Sequence, residues 1–74
     1  MIVDSRSELT DHVIALYCDW RVRCEEVRTT YRRLDGAPKA ERPLAFAAFQ
    51  AALDREGSAA DAYAHQVRRM SAAA

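Results

Sequence analysis

A single strong break, Asp35-Gly36-Ala37-Pro38, divides this chain into two stretches in which apolar residues recur at helical spacing from end to end. Before the break they are Leu9, Val13, Leu16, Trp20, Cys24, Val27, Tyr31 and Leu34, at steps of 4, 3, 4, 4, 3, 4 and 3. Their average lies close to the 3.6 residues of a helical turn and describes one long amphipathic helix. After the break, Phe46, Phe49, Leu53, Glu56, Ala60, Tyr63, Val67 and Met70 step by 3 and 4 in strict alternation, the heptad pattern of a helix packed lengthwise on another. The expected fold is all-α: a long antiparallel two-helix hairpin.

Punctuation sets the boundaries. Ser5-Arg6-Ser7-Glu8 fits a capping box, in which hydroxyl and carboxylate satisfy each other's orphan amides. Asp4, Glu8 and Asp11 crowd the start of the first helix and Arg28, Arg32 and Arg33 its end, as the helix dipole favours. Gly36 suits a left-handed cap, with Pro38 just beyond. Pro43 belongs in a first turn, where its missing donor costs nothing. The spacing predicts one domain over 1–74, with helix 1 over 6–34, a turn over 35–40 and helix 2 over 41–71. Gly57-Ser58 is the one place where helix 2 could kink or break, although the heptad phase runs through it unshifted.

With the turn centred near residue 38, positions whose numbers sum to about 76–77 lie side by side. Trp20 then falls beside Gly57, whose missing Cβ would let the indole approach the second helix. Glu56 occupies a seam position that calls for an apolar residue, and Arg23, or Arg21, is placed to pair with it. Such a polar layer fixes register more than it adds stability.

The chain has 74 residues, half of them hydrophobic, and chains this short usually need a disulfide, a metal, a partner or unusually regular packing. Fifteen Ala and ten Arg against one Lys give a helix-forming composition with the usage of a GC-rich bacterial gene. No secretory leader or bilayer-length apolar run is visible, so a cytoplasmic location is expected. Cys18 and Cys24 are six residues apart on one helix, about 120° around it, and cannot bond to each other; their spacing is not that of a metal or redox pair.

Lys plus Arg equals Asp plus Glu at 11 each, without the basic excess of a nucleic-acid binder. The charge is uneven, however. Arg28, Arg32, Arg33, Lys39 and Arg42 form a basic pole at the turn, which offers phosphate or nucleic-acid contact as an alternative function. His12 and His65 sit at one level, each four residues after a carboxylate, but on different faces, so a metal or redox site would require a dimer. No nucleophile has a base beside it, and no phosphate loop or metalloprotease pattern occurs. Neither an enzyme nor a cofactor or metal is expected.

More apolar surface remains than one partner helix covers. A second stripe on helix 1, Ile14, Tyr17, Cys24 and Tyr31, runs beside the seam, with Trp20 as a further anchor, and alanines at 45, 48, 52, 59 and 64 flank helix 2. Surfaces of this kind mark interaction sites. The expectation is a small non-enzymatic interaction module, a scaffold or regulator. It would act as a homodimer that completes a four-helix bundle, or by docking on a larger protein, with nucleic acid ranked low and no membrane partner.

Overall fold

The structure, a computed structural model, describes residues 5–73, with side chains for 7–72. Helix α1 covers Ser5–Asp35, a single 3-10 turn follows at Lys39–Glu41, and helix α2 covers Arg42–Ala73. The helices pack antiparallel along their length in a slab 58 × 22 × 13 Å. No strand occurs among the described residues. The Ser5 side chain, on which the capping box rests, and Asp4, counted among the acids at the start of the first helix, lie outside what is described.

Helix α2 runs without interruption through Gly57. A Cβ built on Gly57 would meet nothing within 4 Å, so the close approach of Trp20 assigned to this glycine does not occur.

The turn also differs from expectation. No described residue has a positive φ, so Gly36 is not a left-handed cap. The chain leaves α1 by tightening: Gly36 N–H donates to the Arg32 carbonyl at 3.1 Å and Ala37 N–H to the Leu34 carbonyl at 3.2 Å. This shift from four-residue to three-residue bonds needs no special backbone. Pro38, at φ −58° and ψ 153°, then directs the chain across, and its carbonyl accepts from Glu41 N–H at 2.9 Å to close the 3-10 turn. Pro43 sits in the first turn of α2. The 3-10 turn displaces the hairpin's midpoint toward α2. Tyr17 therefore meets Tyr63 and Tyr31 meets Phe49, about one helical turn beyond the partners that the spacing predicts.

The rotational setting of α2 is the main departure. Ala52, Ala59 and Gln66 are its buried residues, at 0%, 7% and 4% exposure. With half-buried Ala45 they form a row at seven-residue intervals, and the second inward row is Phe49, Glu56, Tyr63 and Met70. Phe46, Leu53 and Val67, assigned to the seam by spacing, are exposed. Alanine at the contact line lets two helix backbones draw close, which larger side chains would prevent. Phe46, Leu53 and Val67 are thereby turned outward.

Candidate interaction face

Tyr17, Trp20 and Tyr63 form an aromatic cluster between the helices. Trp20 stacks on Tyr63 at 5.9 Å with 5° between the planes, and Tyr17 tilts against both rings at 6.0 and 5.6 Å. The indole Nε1 donates to Glu56 Oε2 at 2.8 Å. Trp20 satisfies its polar edge in this way while stacking its apolar faces, as a part-buried indole requires. Glu56 thus does face α1, as a seam residue should, but its partner is Trp20 and neither Arg23 nor Arg21.

Arg23 bonds along its own helix, to Glu26 at 2.9 Å and Asp19 at 3.5 Å. Carboxylates three and four residues away are within easy reach of a guanidinium and cost little ordering. Glu26 also accepts from Arg55 Nε across the hairpin at 3.2 Å. Together with Asp54 and Ser58, which border Asp19 and Arg23 in a shallow groove, these groups make one broad side of the slab polar.

The opposite side carries most of the exposed large apolar side chains, although Val22 and Leu44 lie away from it, beside Thr30 and Arg33. Because Tyr17 touches Tyr63 and Tyr31 touches Phe49, the α1 row Tyr17, Cys24, Tyr31 lies beside the α2 row Phe49, Glu56, Tyr63, Met70. The next rows outward hold Ile14, Arg21 and Arg28 on α1 and Phe46, Leu53, Ala60 and Val67 on α2. Ile14 and Tyr31 are just over half exposed and Phe46 just under half, with Tyr17, Leu53 and Val67 close behind. Tyr31 and Phe46 line a common groove near the turn with Leu34 and Pro43, rimmed by Asp35, Lys39 and Arg42. Of the proposed interface residues, then, Ile14, Tyr17, Tyr31 and half-buried Cys24 share this side, whereas Trp20 is spent between the helices. Phe46, Leu53 and Val67 join the face without having been expected there. The seven-residue alanine row was the signal for this, since it marks the contact line.

The basic pole is present as a set of exposed side chains, Arg28, Arg32, Arg33, Lys39 and Arg42, of which Arg28 is held by Glu25 at 2.6 Å. His12 and His65 are exposed. Among the described residues, no three His, Cys, Asp or Glu side chains gather as a metal site would require. Cys18 and Cys24 are free thiols, Cys18 exposed. No described helix is long and apolar enough to cross a membrane.

No family model, no curated protein and no solved structure matches the chain.

Proposed function

We propose that the chain is a non-enzymatic helical association module, whose apolar side is its binding surface and which acts by completing a helix bundle. One observation carries this reading: among the described residues, six of the eight exposed large apolar side chains, Ile14, Tyr17, Tyr31, Phe46, Leu53 and Val67, lie on one broad side, with Val22 and Leu44 outside it, while the hairpin's own contact line is built from small alanines and Gln66. The accessible surface is 5732 Å², against about 4,600 Å² for a compact monomer of this mass. The excess, on the order of 1,000 Å², is comparable to what one partner contributes to a standard protein interface, about 800 Å². Exposing such a side to water raises the free energy, and covering it lowers the free energy.

The test is sedimentation of the chain and of Leu53→Asp, with helicity followed by circular dichroism and the open face probed with bis-ANS. Self-association, or probe binding by a monomer, that is lost in Leu53→Asp at unchanged helicity supports the reading. A chain that neither associates at about 100 µM nor binds the probe refutes it.

A further inference from the structure

The turn end of the hairpin carries a groove whose lining mixes flat apolar rings with unpaired charge. Helical spacing places Tyr31, Leu34 and Asp35 on one face of the last turn of α1, and Arg42, Pro43 and Phe46 on one face of the start of α2. Antiparallel packing sets these two faces side by side, and Lys39 of the 3-10 turn borders the end. The groove has a volume of about 660 Å³, inside the range of about 300–1,000 Å³ usual for small-ligand clefts.

Its charges are free to act on a ligand. In the middle of the hairpin, Arg23, Arg28 and Arg55 are held by Asp19, Glu25 and Glu26. Among the described residues, Asp35, Lys39 and Arg42 enter no ion pair, with one another or with any other side chain. Tyr31 and Phe46 are each about half exposed, and the Tyr31 ring is braced against Phe49 at 5.8 Å. A second groove at the same end, bordered by Thr30, Arg33, Pro38, Glu41 and Leu44, has no aromatic ring and one charge of each sign.

We infer that the first groove binds a nucleoside monophosphate. Each component of that ligand meets a group suited to it. A base is flat and stacks on aromatic rings whatever its identity, and Tyr31 and Phe46 offer two. A phosphate monoester carries about −1.5 to −2 charges at neutral pH, matched by the two cations Lys39 and Arg42, and a guanidinium can take two of its oxygens at once. Asp35 narrows the class. A carboxylate beside the cations repels a plain aromatic or fatty acid, but it accepts hydrogen bonds from ribose hydroxyls. The site needs no association, although it shares Tyr31 and Phe46 with the proposed binding surface.

Titration of the isotope-labelled chain with AMP, followed by amide chemical shifts, tests the inference. Saturable shifts should centre on residues 31–46, with a Kd of about 0.1–1 mM. Ribose 5-phosphate, which lacks the base, and adenosine, which lacks the phosphate, should each bind at least about 5-fold more weakly. Phe46→Ala and Lys39→Ala should each cost about 5-fold or more, and Arg33→Ala, on the second groove, less than about 2-fold. Asp35→Asn should abolish the preference for AMP over its dideoxy analogue. All four side chains are exposed, and the amide spectrum of each variant checks its fold directly. No saturable shift at about 10 mM AMP, or inorganic phosphate or adenosine binding as tightly as AMP, overturns the inference. An equal loss in Arg33→Ala overturns it too, since the effect would then belong to the basic pole as a whole. If Asp35→Asn keeps the preference for AMP, the placement of the ribose is wrong. None of these outcomes bears on the sedimentation test of association.

Discussion

The bond from Trp20 to Glu56 links the two helices through one donor and one acceptor, and its contribution can be isolated. Hydrogen bonds to a charged acceptor contribute about 1.5–3 kcal/mol when buried. Both residues here are half-buried, which reduces the figure to about 1 kcal/mol. Trp20→Phe keeps a ring to stack on Tyr63 and removes Nε1, while Glu56→Ala removes the acceptor. The cycle of these two substitutions should return a coupling of about 1 kcal/mol. Glu56→Ala alone should lower the melting temperature by roughly 4–8 °C in a domain this small, and Glu56→Gln, which keeps a neutral acceptor, by about half of that. Thermal and urea unfolding at a fixed protein concentration, followed by circular dichroism, would measure the cycle, and Trp20 emission in the parent would report the same layer. A coupling below about 0.3 kcal/mol, within the scatter of independent sites, would refute the assignment of Glu56 as the indole's partner.

Gly57→Ala should stabilise the chain by about 0.5–1 kcal/mol, because the position is helical and an added Cβ meets nothing within 4 Å; a loss of stability in urea unfolding would show that the glycine has a packing role after all. Ala52→Leu should destabilise by about 1–3 kcal/mol, since it forces extra volume into the line where the helices are closest. If Ala52→Leu proves neutral in the same assay, the contact line has been placed wrongly.

Helix limits were legible because they depend on local chemistry. Pro38 and Pro43 confine the connection, and the uninterrupted heptad phase correctly outweighed Gly57. The rotation of α2 was not legible from the apolar pattern, because that pattern points to the centre of all apolar contacts and not to the nearest neighbour. Ala52 and Ala59 carry so little hydrophobic signal that Phe46 and Leu53 dominated it, although the smaller residues decide how closely the helices approach. The pairing register missed by about one turn because nothing in Lys39-Ala40-Glu41 announces a 3-10 turn, which takes up chain without extending the hairpin. Glu56 was recognised as a polar intrusion into the seam, but an opposite charge was expected beside it. An indole donor meets the same need, and Arg23 had nearer carboxylates in Asp19 and Glu26. The apolar stripe on α1 was visible because Ile14, Tyr17 and Tyr31 stand at helical spacing outside the seam.

The alanine contact line has a thermal consequence. Unfolding raises the heat capacity chiefly through newly wetted apolar surface, by about 12–15 cal/mol/K per residue in ordinary domains. A hairpin whose large side chains are already wet has less surface to expose, so its heat-capacity increment should fall below that range, with a flat stability curve and a broad transition. Covering the apolar side would restore the missing increment, and calorimetry across a dilution series would thus measure, in heat, how much of that side water has left.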